Sequence, residues 1–342
     1  MKKLLTLMVV ALVGLGLIIS TGAVAADKTF KWRMQTYASP GTPGYKSQKI
    51  ALDNLRKATG GRLNIKLHGG GTLVGYRDML EAIGKGNFEL GHNVDAFFAG
   101  KDPGFAPIFS AIALWTDPRE VRVWIESYGG KELMAKAYAK YGVKYLGSTL
   151  IGAEPIFSKK PLKTLADFEG LKIRTPSGLT SMLFKKLGAV PVSLRGGQIY
   201  SALDTNVIDA AEFVTLGEDV GMGLHEVTKH VLYPSFHGPI AVVNWGVNEK
   251  AWKSLPPDLQ AALLMAAKEA DYYYDILSAA QDYKALADIK KKGLTISTLS
   301  EADMLKVRQL SLEVAQEYAK KSELSKEVIE SIIAFLKMGG KI

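Results

Sequence analysis

Twice along this chain a segment of alternating apolar residues is followed by one of helical spacing and the pair recurs, an order β-α-β-α-β that demands stacked sheet and helix layers. In the first half Phe30, Trp32 and Met34 alternate with polar residues as a strand ending near Tyr37, and Ser39-Pro40-Gly41-Thr42-Pro43-Gly44 forms a turn. Ile50, Leu52 and Leu55 recur at helical spacing from Tyr45 until Gly60-Gly61 ends the helix. Leu63, Ile65 and Leu67 make the next strand, Tyr76 to Ile83 a second helix, and Phe88 to Val94 a third strand. The second half repeats the order: strand Leu171 to Thr175, helix through Met182 to Phe184, strand Val190 to Leu194, helix Gln198 to Leu203, strand Ile208 to Val214. Side-chain identity between the halves is slight, so they read as parallel architectures, not as a tandem repeat.

Trp124 to Tyr141 reads as a helix and Val143 to Thr149 as a buried strand, after which the chain leaves the first half. Val242, Val243 and Trp245 form a further apolar strand, expected to return to the first sheet. Pro256-Pro257-Asp258 then begins a helix, proline being tolerated in a first turn, and no breaker follows until Gly293. Such a helix of about 33 residues is about 50 Å long, enough to brace two domains. The 342 residues likewise fit two domains. The expectation is therefore an α/β protein of two lobes with a mainly parallel sheet in each and a long bracing helix. Residues 26–150 with a return segment near 240–256 would form lobe I, residues 151–239 lobe II, and residues 257–342 the brace and C-terminal helices.

Lys2 and Lys3 precede an apolar run from Leu4 to Ile19, and Ala23-Val24-Ala25 supplies a small-x-small cleavage site. This pattern is that of a secretory signal peptide over residues 1–25, and about 16 apolar residues fall short of the roughly 20 of a spanning helix. Without the leader, 41 basic residues stand against 34 acidic ones, a modest excess. The one dense basic run, Lys290-Lys291-Lys292, ends the long helix and complements its dipole, and no basic stripe interleaved with aromatics points to nucleic acid. The absence of cysteine excludes thiol nucleophiles, iron–sulfur clusters and cysteine-ligated zinc.

Open parallel sheets place ligands beyond the carboxyl ends of their strands. In the first half those ends deliver Tyr37, the loop His68-Gly69-Gly70-Gly71, and Asp95 with Phe97-Phe98; in the second they deliver Arg174, Arg195 and Glu212-Phe213. Arg174 can offer a planar two-donor fork to a carboxylate, or can pair internally with an acid such as Glu212. Phe213, Phe97, Phe98 and Phe236 are either pocket walls or plain core. The His68 loop resembles the glycine-rich oxyanion loop of lipases, yet no G-x-S-x-G nucleophile elbow occurs. His225 and His230 stand five residues apart, diverging by about 140° on a helix, so they do not make a zincin pair. Gly221-Met222-Gly223 lacks the third glycine of a dinucleotide fingerprint.

The block Thr164-Leu165-Ala166-Asp167-Phe168-Glu169-Gly170-Leu171-Lys172-Ile173-Arg174-Thr175-Pro176, continued by Gly188-Ala189-Val190-Pro191-Val192, Gln198 to Leu203 and Ile208-Asp209-Ala210-Ala211-Glu212, resembles the DctP-type solute receptors of TRAP transporters. Leu73-Val74-Gly75-Tyr76-Arg77-Asp78-Met79-Leu80 and the long helix extend the resemblance over nearly all the mature chain. It implies a periplasmic binding protein fold and capture without catalysis: the arginine matching Arg174 holds a ligand carboxylate in a cleft, the residue matching Phe213 faces the ligand, and the closed receptor delivers its organic acid to membrane subunits. Glu212, Phe98, Tyr37, Arg77 and Phe236 complete the expected contacts. A homodimer is among the expectations, since related receptors include monomers and dimers. Asp209 to Val214 and Tyr233-Pro234-Ser235-Phe236-His237 look most like the branch that takes 2-oxo acids and related monocarboxylates, some of whose members bind a cation beside the ligand. Here Gly152 and Gly238 stand where that branch carries a glutamine and a glutamate, leaving too few oxygens for a calcium cage. No metal and no cofactor are therefore expected, and the glycines imply a larger cleft suited to a monocarboxylate with an apolar or aromatic tail. Two readings compete: a secreted hydrolase using the His68 loop, and a ligand-free adaptor.

Overall fold

The structure, a computed structural model, describes residues 28–342 except Ser177. The expected leader lies outside them. Two sheets organise the chain. The first is built by β1 (Phe30–Thr36), α1 (Pro43–Ala58), β2 (Leu63–His68), α2 (Met79–Gly84), β3 (Leu90–Val94), α3 (Phe105–Phe109), α4 (Pro118–Ser127), α5 (Gly130–Ala139) and β4 (Val143–Ile151). The second is built by β5 (Ile156–Ser158), β6 (Lys172–Arg174), α6 (Leu179–Lys186), β7 (Val190–Val192), α7 (Gly196–Asp204), β8 (Ala210–Ala211), α8 (Leu216–Gly221) and β9 (His230–Leu232). The chain then returns through β10 (Ala241–Asn248) and α9 (Glu249–Ser254) to α10 (Pro257–Lys291), β11 (Thr295–Ser297), α11 (Glu301–Ala319) and α12 (Glu323–Met338).

Strand order is β2-β1-β3-β10-β4 in the first sheet and β11-β9-β5-β8-β6-β7 in the second. Each sheet has one strand antiparallel to both its neighbours: β10 between β3 and β4, and β5 between β8 and β9. Both are the strands by which the chain arrives from the other sheet.

Local departures from expectation have local causes. The helix expected from Trp124 to Tyr141 is two helices, α4 and α5, parted by Gly129 at φ +91°, a conformation that L side chains rarely adopt. The strand expected from Ile208 to Val214 pairs only through Ala210 and Ala211. Beyond them side chains replace the ladder: Arg174 bonds the Glu212 carbonyl, and the Val214 N–H donates to Asp219 Oδ1.

The long helix has 35 residues and buries side chains against both sheets. Leu259, Leu263, Ala266, Ala267 and Ala270 join the core under β1, β2 and α1, whereas Ala285 and Ile289 join the core under α7 and α8. Tyr274, midway, packs with Ile151, Ala241 and Val243, where the crossings meet the first sheet. No helix among the described residues is long and apolar enough to cross a membrane.

Candidate functional site

The two crossings, residues 152–155 and 233–240, run side by side, with the Glu154 N–H donating to the Gly238 carbonyl at 3.0 Å and the Ser235 N–H to the Glu154 carbonyl at 3.3 Å. Next to them lie the carboxyl ends of β6, β7 and β8. Register puts Arg174, the last residue of β6, beside Val192 and Ala211.

Arg174 is 8% exposed and makes three hydrogen bonds. Its Nη1 donates to the Glu212 carbonyl at 2.7 Å and to Glu212 Oε1 at 3.2 Å, and its Nε donates to the Leu194 carbonyl at 3.2 Å. The internal ion pair is thus real, but it engages only part of the guanidinium: among the described residues Nη2 bonds no acceptor. The guanidinium carbon stands 5.0 Å from the centre of the Phe213 ring, in cation–π range. That ring lies so close to the first turn of α7 that a Cβ at Gly196 would meet Phe213 Cζ at 2.5 Å.

Behind Glu212 stands a group that sequence reasoning missed. Glu154, Glu212 and His237, all buried, each offer one ligand-type atom within 4.8 Å of the others. His237 Nε2 is 3.0 Å from Glu154 Oε2 and 3.7 Å from Glu212 Oε2, and its Nδ1 meets Ser235 Oγ. Burial alone would lower the His237 pKa, but the hydrogen bonds and charges of Glu154 and Glu212 outweigh it and raise it to about 9, which favours the imidazolium. Burial pushes Glu212 up, the Arg174 charge and then His237 pull it down further, and it remains ionised. For Glu154 burial dominates and raises the pKa. The Glu154 carboxylate also fills the space beside Gly238, where a Cβ would stand 2.8 Å from Oε2. The cleft is therefore not enlarged there, as the glycine implied, whereas Gly152 does face open space. The local sequence of residues 152–155 carries no signal for this role; only its meeting with residues 233–240 creates it.

The remaining candidates divide. Tyr37 follows β1, with its ring 5.1 Å from that of His92 and its body in the cluster containing Val214 and Tyr274. Its hydroxyl is buried beside that of Tyr274, and burial raises its pKa. Arg77 is exposed in the turn Tyr76–Asp78, beside the stacked pair Tyr76 and Phe97, and bonds no acceptor among the described residues. Phe98 and Phe236 are each 1% exposed in the largest apolar core, Phe98 edge-on to Phe105 and Phe236 against Phe168 and Phe184. In the His68 loop, a Cβ at Gly70 would strike the Tyr37 carbonyl at 2.4 Å, so this glycine permits a close backbone approach. His225 meets Lys292 and His230 lies in β9, so neither belongs to the Glu154 group.

Several buried carboxyls lean the same way. Burial raises Asp95 to about 7 despite bonds from Tyr138 and Asn244, raises Glu218 to about 7, and raises Asp219, whose Oδ2 has no partner among the described residues. Groups with raised folded-state pKa values contribute stability that is complete below their unfolded values near 4 and is lost as pH rises through 7. The unfolding midpoint is expected to fall between pH 5 and pH 8, with Asp95 alone contributing on the order of 2 kcal/mol, below the ceiling of about 4 that 1.36 kcal/mol per pKa unit sets. Asp95→Asn should flatten that slope in thermal melts; an unchanged slope would show that Asp95 is ionised throughout.

The profile of the DctP family, bacterial extracellular solute-binding proteins of family 7, matches residues 34–322. The chain belongs to this family. It is 29% identical over 312 residues to a monocarboxylate 2-oxoacid-binding periplasmic protein of Nostoc sp., covering 90% of this chain and 84% of that one. It superposes with a TM-score of 0.78 on an apo, open TRAP periplasmic solute-binding protein of Rhodobacter sphaeroides, at 31% identity over 91% of this chain and 99% of the other. A TRAP periplasmic solute-binding protein of Colwellia psychrerythraea, with bound calcium and pyruvate, gives a TM-score of 0.80 at 27% identity over 90% and 94% of the two chains. The architecture is thus the two-lobed α/β fold of periplasmic binding proteins, as the doubled β-α-β-α-β order implied. As a DctP-family receptor the protein binds a solute and is not an enzyme, which sets aside the hydrolase reading of the glycine-rich loop after β2. TRAP receptors of this family bind small organic acids and work with TRAP membrane subunits.

Proposed function

We propose that this protein is exported, loses residues 1–25, and captures a monocarboxylate in the periplasm, a 2-oxo acid or an acid with an apolar or aromatic tail, for delivery to TRAP membrane subunits. The observation that carries this reading is the Arg174 guanidinium, held from within by Glu212 and Leu194 with Nη2 left for a ligand carboxylate. Phe213 covers its face, and Tyr37 of the first lobe packs in the apolar cluster that also holds Val214. The Nostoc relative supports the ligand class.

The cation is where this chain departs from the Colwellia relative. Calcium takes six to eight oxygen ligands, but the buried group here sets an imidazole nitrogen between two carboxylates. With Nε2 directed at Glu154 and Nδ1 at Ser235, a protonated ring has no lone pair to give a metal. These residues do not fit a calcium site, and the His237 imidazolium takes the place of the positive charge between Glu154 and Glu212.

The test is thermal unfolding of the mature chain against pyruvate, longer 2-oxo acids and aryl carboxylates, each with and without EDTA. A ligand at 1,000 times its Kd adds about 4.1 kcal/mol, a shift of several degrees at this size. A shift by monocarboxylates that EDTA leaves unchanged is the expected result. Silence across all monocarboxylates would refute the ligand class, and a shift abolished by EDTA would refute the metal-free site.

A further inference from the structure

In the fold, the basic run that ends α10 meets two histidines and a further lysine. At the amino ends of β9 and β11 they border a cleft of about 590 Å³, whose lining includes His225, Lys229, His230, Lys292, Gly293 and Thr295. β5 and β8 separate β9 from β6, and Arg174 stands at the carboxyl end of β6, so this cleft is no part of the carboxylate site. Its floor is the parallel pairing of His230 with Thr295, where the Thr295 N–H donates to the Lys229 carbonyl at 3.0 Å. Gly293, at φ +78°, leaves open space where a side chain would stand.

The charges of the cleft are one-sided. No acidic residue lines it. Lys292 Nζ is within hydrogen-bonding distance of His225 Nε2, so the ring accepts from the ammonium and is neutral, and the ammonium keeps two further N–H groups. Of the acids nearby, Asp288 bonds Lys284 at 2.7 Å and Glu226 Oε1 is 4.0 Å from His225 Nε2. Lys229 and Lys292 form no ion pair among the described residues, and His230 Nδ1 is buried without a hydrogen-bond partner among them. Burial first, then the charges of Lys163 and Lys229, hold the His230 pKa below the ordinary histidine value. The carboxyl end of α10 supplies about half a negative charge, which offsets only part of this excess. Like charges gathered without counter-charges repel one another, a cost that an anion in the cleft would remove.

The donor set selects among anions. Lysine ammonium groups are point charges without the planar fork that matches a carboxylate, and they suit the oxygens of a tetrahedral phosphate. The cleft has the volume of a small-molecule site, so the phosphate has room for an attached group. We propose that it binds the phosphate of a phosphate ester, with Lys229 and Lys292 on the phosphate oxygens and His230 donating from Nδ1. A soluble ester and the headgroup of an anionic phospholipid present the same oxygens, and the two sources can be told apart by experiment.

The mature chain is titrated with sn-glycerol 3-phosphate at about 0.15 M sodium chloride, where exposed charges are screened, and is separately sedimented with vesicles of phosphatidylglycerol or of phosphatidylcholine. Glycerol phosphate is expected to shift the His230 imidazole resonances and to make that ring titrate at a higher pH, because a bound anion favours its charged form. Lys229→Gln combined with Lys292→Gln should weaken binding about tenfold or more, the effect of one charged hydrogen bond. Both lysines are exposed, so the circular dichroism spectrum should not change. Lys57→Gln combined with Lys131→Gln removes the same charge from exposed positions of the first lobe and should leave binding intact. Binding of glycerol phosphate places a free ester in the cleft, and binding of phosphatidylglycerol vesicles without it places a lipid headgroup there. Equal loss in the two double variants, or silence toward both probes, would overturn the proposal.

Discussion

Arg174→Ala is expected to weaken carboxylate binding by about thirty-fold to several-thousand-fold, the equivalent of about 2–5 kcal/mol for truncating one partner of a buried, hydrogen-bonded charge pair. The ligand loses the Nη2 donor and the charge beside it. The protein loses more. Glu212, 1% exposed, keeps its carboxylate ionised chiefly against the pull of burial by the Arg174 charge. Without it, Glu212 faces Glu154 with only His237 between them, so the unfolding midpoint should fall as well. Calorimetric titration well below that midpoint separates the two effects. Arg174→Lys keeps the charge and loses the fork, and should lie between parent and alanine variant in affinity. Unchanged affinity in Arg174→Ala would remove this residue as the anchor.

His237→Gln should be as costly in stability as Arg174→Ala is in affinity. The glutamine fits the space and can donate one hydrogen bond, but it brings no charge between Glu154 and Glu212. Removing one member of a buried ionic group costs about 3–5 kcal/mol, because the remaining charge is left uncompensated. The deficit has a specific remedy if the imidazolium stands in for a cation: calcium should raise the melting temperature of His237→Gln and leave the parent unmoved. Stabilisation of the unliganded parent by calcium to the same extent would show that its carboxylates accept a metal despite the histidine. The pH dependence points the same way. A histidine raised to about 9 in the fold contributes stability that is full below its unfolded value near 6.5 and is lost as pH rises through 9, and His237→Gln should abolish that alkaline loss.

Much of this architecture was legible because its signals are local. The alternation of Phe30, Trp32 and Met34, the helical spacing after Tyr45 and the breaker-free run after Pro257 each depend on residues within a few turns of one another. The same locality misled where one glycine outweighed a periodic pattern, as at Gly129. It misled again after Ala211, where Arg174 and Asp219 take the backbone groups that a longer strand would have used. Arg174 and Glu212 were recognisable because each ends or follows a strand, and strand ends in a parallel sheet converge. Phe98 and Phe236 sit at comparable places, yet their rings are sealed among other aromatics, a choice that no property of their own segments reveals.

What the sequence determined by itself is therefore the succession of elements, the long brace and the placing of an arginine at the end of β6, all consequences of side-chain period and of the fixed geometry of parallel strands. The tertiary structure alone decided that β5 and β10 enter their sheets reversed, and that Glu154 meets His237 across 83 positions of sequence. Both follow from where the chain crosses between lobes. A crossing has no periodic pattern to read, and its backbone polar groups and buried charges find partners only once the other crossing is laid beside it.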